Sequence, residues 1–117
     1  MLTAILTATT TAFAASPPNV LFILADDVGS EVLSCYGGES YRTARIDALA
    51  AEGLRYQRAY AMPACHPTRI TFLTGQYPRR LGNPEWGTFP QSARRRTLPQ
   101  LLRDAGYANA IAGKWQL

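Results

Sequence analysis

The sequence predicts an α/β layered fold built on a mostly parallel sheet. Three observations carry that prediction. Short apolar runs rich in β-branched and aromatic residues alternate with helix-like segments along the chain. The first run, Asn19 to Ala25 (NVLFILA), is apolar on both faces, as a central strand covered by helices on both sides must be. The helical segments carry start and stop residues where they are needed.

Taken in order, Pro17-Pro18 precedes the first strand and Asp26-Asp27-Val28-Gly29 follows it. Residues 29–42, rich in Gly, Ser and Tyr, read as a loop. Thr43 can cap a helix with apolar positions Ile46, Leu49 and Ala50, and Gly53 stops it. Leu54 to Tyr60 can form the next strand. A second helix is expected to start at Pro67, run through Ile70 and Leu73, and stop at Gly75. The Pro- and Gly-punctuated residues 76–96 form a long loop. Thr97-Leu98-Pro99-Gln100 is a capping box for a third helix that ends at Gly106. Tyr107 to Ala112 can be another strand.

The chain has 117 residues, so it holds at most one domain. Its 47% hydrophobic and 17% charged residues exclude a disordered polyampholyte. Two cysteines, Cys35 and Cys65, and a single histidine, His66, support neither a disulfide scaffold nor a zinc finger. The basic groups are eleven Arg and one Lys, Lys114. They are unevenly placed. Residues 1–52 hold two arginines against six carboxylates, and residues 53–117 hold ten basic groups against two. A basic half suggests an anionic partner. No aromatic-interleaved basic run, zinc module or helix-turn-helix pattern accompanies it, so nucleic acid is not the expected partner. Arg94-Arg95-Arg96 reads as a solvated loop before a helix start.

Residues 2–15 (LTAILTATTTAFAA) are uncharged and shorter than the roughly 20 apolar residues of a bilayer span. They end in a small-x-small cleavage pattern, Ala12-Phe13-Ala14. Residues 1–14 therefore read as a signal peptide without the usual positive n-region, and residues 15–117 as the mature part. The expected location is secreted or periplasmic, with no stable membrane span.

Ligands of open parallel sheets bind beyond the carboxyl ends of the strands. Three features fall there. Asp26-Asp27 would repel each other unless a hard cation such as Ca²⁺ or Mg²⁺ relieves them. Both can reach one ion only if the strand breaks, which Gly29 permits; the alternative is a solvated strand-end turn. In Cys65-His66-Pro67-Thr68-Arg69, a thiol at a helix start lies one turn from a guanidinium on the same face. The helix start favours an anion, and the alternative is a free Cys near a surface Arg. Cys65 and His66, as sequence neighbours, are not expected to act as a nucleophile pair. Lys114, in Gly113-Lys114-Trp115-Gln116-Leu117, can bind a tetrahedral oxyanion as a point charge, or be a solvated lysine.

These features occur together in a way that resembles the N-terminal part of the formylglycine-dependent sulfatases. PNVLFILADDVG resembles the family's opening strand and metal pair. CHPTR matches its Cys-x-Pro-Ser/Thr-Arg signature, followed by Leu73-Thr74-Gly75 at the family spacing. TLPQLLRDAGYANAIAGKWQL resembles its helix and strand leading to Gly-Lys-Trp-His-Leu. The resemblance covers residues 18–117. It implies the alkaline-phosphatase-like α/β/α sandwich, here as an N-terminal portion, and hydrolysis of sulfate esters. It implies that a maturase acting on Cys65–Arg69 oxidises Cys65 to formylglycine. The hydrated aldehyde would ligate the cation through one hydroxyl, attack sulfur, and release sulfate by way of the second. Asp26 and Asp27 match cation ligands, usually for Ca²⁺, as does the modified Cys65. Arg69 matches the arginine that holds the formylglycine, and Lys114 the lysine on a sulfate oxygen.

This sequence departs from the pattern in three places. Thr68 replaces the commoner Ser. Gln116 stands where the family has His and cannot carry a proton. The family's second pair of metal ligands comes later in its chain than Leu117. The 117-residue chain alone is therefore expected to be inactive. Two alternatives stay open: a phosphonate or phosphodiester hydrolase of the same superfamily, and a non-catalytic, decayed remnant.

Overall fold

The computed structural model describes residues 16–117, so the leader expected at residues 1–14 lies outside it. Three helices are present: α1 (Ala44–Glu52), α2 (Cys65–Thr74) and α3 (Leu98–Asp104). Four short 3-10 turns punctuate the loops, at Ser30–Val32, Ser34–Tyr36, Pro78–Leu81 and Gln91–Ala93.

Helix α1 has the expected bounds, Thr43 before it and Gly53 after it, but the Thr43 hydroxyl makes no capping hydrogen bond to the helix N–H groups. Thr43 belongs to a closed polar network. Its hydroxyl donates to Asp47 Oδ1 at 3.1 Å, and the Ser34 hydroxyl donates to Asp47 Oδ2 at 2.7 Å. That network fixes the 3-10 turn Ser34–Tyr36 against α1. The Ser34 hydroxyl, aided by Thr43, holds the Asp47 carboxyl below its ordinary pKa, although partial burial pushes the other way. Arg55 extends the same unit: it donates to the Cys35 carbonyl, and its guanidinium lies 5.4 Å from the centre of the Tyr36 ring. In α3, the Gln100 side chain accepts from the Thr97 N–H at 2.9 Å, which is the capping interaction expected from the sequence.

The start of α2 corrects the sequence reading. The helix begins at Cys65, two residues before Pro67. The first four N–H groups of any helix lack intrahelical partners, so a proline is tolerated throughout the first turn and not only at its first position. Thr68 reinforces this start by donating to the carbonyls of Ala64 (2.8 Å) and Met62 (3.2 Å).

The expected strands are also corrected. Among the described residues no β-ladder forms, so 19–25, 54–60 and 107–112 lack the pairing predicted for them. The first and last of these segments nevertheless run side by side in the same direction. The Tyr107 hydroxyl donates to the Pro18 carbonyl at 2.9 Å, and Lys114 Nζ donates to Asp26 Oδ2 at 2.5 Å. These ties span 89 and 88 residues, a nearly constant offset that only a parallel arrangement gives. Between the ties, a cavity of about 290 Å³ lined by Phe22, Leu24, Phe72 and Ile111 lies where a ladder would close. Parallel pairs are slightly weaker per residue than antiparallel ones, and a two-stranded pair needs further strands or a helix packed on it for stability.

Exposure along the first segment alternates. Leu21 (85%) and Ile23 (77%) are bare, whereas Phe22 (52%) and Leu24 (37%) are better covered. The covered face meets α2, where Phe22 stacks on Phe72 with ring centroids 3.6 Å apart. One face of this apolar segment is thus partly covered and the other is bare. The remaining core is small. Ile70 on α2 is fully buried, and Ala93, Pro78 and Pro90 from the 76–96 loop are buried as well. Arg94, Arg95 and Arg96 are exposed, as the loop reading requires.

Candidate active site

The carboxyl end of the first segment, the first turn of α2 and the carboxyl end of the last segment meet at one place. Asp26 is its centre. Arg69 Nη2 approaches Asp26 Oδ1 at 3.3 Å, and Lys114 Nζ approaches Asp26 Oδ2 at 2.5 Å. Arg69 also donates from Nη1 to the Lys114 carbonyl at 2.6 Å, so one guanidinium grips both the acid and the backbone that carries the lysine. A planar fork can make two such contacts at once. The Arg69 side chain is only 11% exposed, and its Nε is buried without a partner.

The charges set one another. The Lys114 ammonium, hydrogen-bonded to Asp26, holds the Asp26 carboxyl below its ordinary pKa. Burial opposes this, and Arg69 adds to it. Asp26 in turn raises the Lys114 pKa, with a smaller contribution from the nearby Cys65. Lys114 thus stays charged between an acid and a thiol.

Cys65, Asp26 and Asp27 line one cavity of about 350 Å³, walled by Ala61, Met62 and Thr68 among others. Strict strand alternation would send adjacent aspartates to opposite sides. The alternation is broken at Asp27 itself, whose φ is 54°, a left-handed conformation that Asp tolerates better than most residues. The break that the aspartate pair requires therefore falls at the pair itself, on Asp27 rather than on Gly29. Gly113, at φ 100°, makes the corresponding turn before Lys114.

The sequence-predicted residues Asp26, Asp27, Cys65, Arg69 and Lys114 are thus brought to one region. Among the described residues, no three His, Cys, Asp or Glu side chains converge as a ligand set. Asp26 and Asp27 nonetheless offer hard oxygen donors beside Cys65, a donor type that fits Ca²⁺ or Mg²⁺. Gln116 sits next to the site with φ 53°, and its Oε1 is buried without a partner.

Two structural supports were not legible beforehand. His66 is buried and turned away from Cys65, with Nε2 2.9 Å from the Thr88 carbonyl and its ring 5.3 Å from Trp86. It pins the 85–88 turn to the start of α2. Met62 and Thr68 form the cavity wall, and only the helix-start position of Thr68 could have signalled this.

A parallel pair of segments thus gathers carboxylates, a thiol at a helix start and two cations at its carboxyl ends. The comparisons with known proteins assign the class. The Sulfatase family model matches residues 18–117, and the chain belongs to the sulfatase family. It is 42% identical over 115 residues to steryl-sulfatase of Homo sapiens, covering 89% of this chain and 20% of that protein. It is 40% identical over 107 residues to N-acetylgalactosamine-6-O-sulfatase of Bacteroides thetaiotaomicron, covering 86% of this chain and 20% of that one. It is 40% identical over 119 residues to N-acetylgalactosamine-6-sulfatase of Homo sapiens, covering 89% and 22%. The chain thus spans about a fifth of the length of these relatives. No solved structure matches it. No helix among the described residues is long and apolar enough to cross a membrane.

Proposed function

We propose that residues 15–117 are the N-terminal, nucleophile-bearing part of a sulfatase catalytic domain that hydrolyses sulfate esters outside the cytoplasm. The observation that carries this reading is the meeting of Cys65, Asp26, Asp27, Arg69 and Lys114 at the carboxyl ends of two parallel segments. The alkaline-phosphatase-like sandwich belongs to the same proposal. A first segment apolar on both faces supports it, since such a segment needs cover on its second side.

The roles follow from placement. Cys65, in the first turn of α2, is the residue that a maturase acting on Cys65–Arg69 would oxidise to formylglycine. Formylglycine would supply a hydrated-aldehyde nucleophile, and Ca²⁺ (or Mg²⁺) would supply positive charge to offset negative charge beside it. Asp26 and Asp27 would hold the cation with the modified residue 65 as a further ligand. Lys114 is the cation available to a sulfate oxygen; its ammonium is raised in pKa and stays charged at neutral pH. Arg69 fixes Lys114 through its carbonyl and balances Asp26.

The test uses the full-length protein produced with and without a formylglycine-generating maturase. Expected are conversion at residue 65 by mass spectrometry, turnover of an aryl sulfate, and loss of both in Cys65→Ala. Turnover by the unconverted protein, or by Cys65→Ala, would overturn the proposal. The isolated 117-residue chain is expected to show no turnover.

A further inference from the structure

The first turn of α2 carries Cys65, yet little within the helix holds that turn. Ala64 precedes it and has no side chain that can cap it. Pro67 has no N–H to bond. Thr68 ties the turn from within, its hydroxyl and its N–H both donating to the Ala64 carbonyl, at 2.8 and 3.2 Å. The tie from outside the helix is His66, which is 3% exposed.

His66 Nε2 lies 2.9 Å from the Thr88 carbonyl. A carbonyl oxygen only accepts, so Nε2 carries the proton and donates it. The acceptor is itself held in a closed turn, because the Thr88 N–H and hydroxyl both donate to the Glu85 carbonyl, at 3.0 and 2.7 Å. The Trp86 ring packs beside the imidazole. All of these contacts lie within residues 64–88, so any further chain packed here adds to the burial of His66.

Successive residues of an α-helix lie about 100° apart round its axis, and residues four apart share a stripe. His66 and Ile70 are the buried stripe of α2. Cys65 and Arg69 form the next stripe, one step round. Seating residues 66 and 70 therefore sets the rotation of the helix, and with it the direction in which residues 65 and 69 leave the backbone. In that rotation Cys65 meets the cavity of Asp26 and Asp27, and Arg69 meets Asp26. Ile70 acts one turn further on and by burial, whereas His66 acts at the turn of Cys65 and through a directional bond.

We propose that His66 is a positioning residue for the nucleophile. Its hydrogen bond to Thr88 fixes the first turn of α2 so that the side chain of residue 65 stays aimed into the cavity of Asp26 and Asp27. The Glu85–Thr88 turn, which lies outside the lining of that cavity, thereby serves the reactive centre. This rests on the sulfatase reading above and deepens it.

The test compares the full-length enzyme with His66→Phe and His66→Gln on an aryl sulfate. Phenylalanine fills the buried space without a donor, and glutamine keeps an N–H donor. Activity is expressed per residue 65 converted, counted by mass spectrometry, so that poorer maturation does not register as a slower reaction. His66→Phe should lower kcat roughly ten- to a hundred-fold, in line with misplacing a reacting group by about 1 Å. KM should change less than about two-fold, because Lys114 keeps its own tie to Asp26. His66→Gln should recover most of kcat. A His66→Phe enzyme as fast as the parent, a loss confined to KM, or a His66→Gln enzyme as slow as His66→Phe overturns the proposal. Should His66→Phe fail to fold, Thr88→Val removes the hydroxyl tie to Glu85 and should lower kcat roughly three-fold or more; an unchanged kcat then overturns it. Amide hydrogen exchange gives a readout that needs no turnover. In His66→Phe, exchange at Thr68 and Arg69 should quicken together with exchange at Thr88, and unchanged exchange at Thr68 and Arg69 overturns the proposal. If the parent hydrolyses no sulfate ester, the sulfatase reading fails, and exchange still decides whether His66 holds the turn of residue 65.

Discussion

Replacing Arg69 by Lys keeps the positive charge and removes the fork. In the structure the fork makes two hydrogen bonds, to Asp26 at 3.3 Å and to the Lys114 carbonyl at 2.6 Å. A lysine can keep one of them, and Asp26 already has Lys114 as a partner. The hydrogen bond that disappears is therefore the one that fixes the backbone of residue 114. At 11% exposure, a charge-assisted hydrogen bond of this kind is worth about 1.5–3 kcal/mol. That converts to roughly 10–100-fold. The expected result for Arg69→Lys in the full-length protein is a drop of that size in kcat/KM for an aryl sulfate. Because Arg69 also lies in the proposed maturase motif, activity is expressed per residue 65 converted, counted by mass spectrometry. If Arg69 works by placing Lys114, Arg69→Lys should add little to a Lys114→Met background. Full additivity of the two losses, or an Arg69→Lys enzyme as fast as the parent, refutes that role.

Other expectations concern charge, packing and the cation. Lys114→Met should lower kcat by roughly 10²–10³-fold, the usual cost of removing one group that stabilises developing charge, measured under saturating aryl sulfate. The depressed pKa of Asp26 adds stability that is complete above the ordinary carboxylate range and is lost as pH falls through the lowered value. The raised pKa of Lys114 adds stability complete below the ordinary lysine range and lost as pH rises through the raised value. Asp26→Asn should therefore flatten part of the acid limb of a stability–pH curve, to which Asp47 contributes as well; an unchanged acid limb contradicts the pairing. Ile70→Ala should cost about 2–5 kcal/mol in denaturant unfolding, since Ile70 is fully buried. Gly38→Ala should be worse tolerated than Gly37→Ala. A Cβ at 38 would lie 2.3 Å from the Glu31 carbonyl oxygen, whereas one at 37 meets nothing and bears only the strain of φ 90°, about 1–2 kcal/mol. Equal melting temperatures for the two would contradict this. Chelation of Ca²⁺ from the full-length protein should lower its melting temperature, and re-addition should restore it. A melting temperature indifferent to chelation argues against the cation at Asp26 and Asp27.

How much of this was legible in the residues differs by element. Helices α1 and α3 were bounded by local chemistry, Thr43 and Gly53 for one and Thr97 with Gln100 for the other, so they could be read without neighbours. The start of α2 was misplaced because proline marks a first turn without marking its first residue. The apolar runs were recognisable, but a ladder is a property of two segments at once, and no local pattern supplies the partner. The same limit applies to the site. Strand-end logic singled out Asp26, Cys65 and Lys114 one by one, and their convergence on Asp26 followed from a parallel arrangement. The role of His66 depends on a carbonyl 22 residues away, which nothing near His66 announces. The strand break needed at the aspartate pair was expected with help from Gly29 and is made by the left-handed Asp27 itself, because Asp as well as Gly can take that conformation.

The ion pair between Asp26 and Lys114 joins residues 88 positions apart. Closing a chain segment of that length costs roughly 4 kcal/mol of entropy by the logarithmic scaling of loop closure. Helices α1, α2 and α3 are built from local hydrogen bonds, but the cluster around Asp26 exists only once both ends of that loop have met. Assembly of the centre therefore comes late in folding, at a rate governed by long-range contacts. Chemistry and chain topology are fastened at one point. A substitution that loosens Asp26 is therefore expected to speed unfolding more than it slows refolding, and unfolding kinetics would register it before any substrate is added.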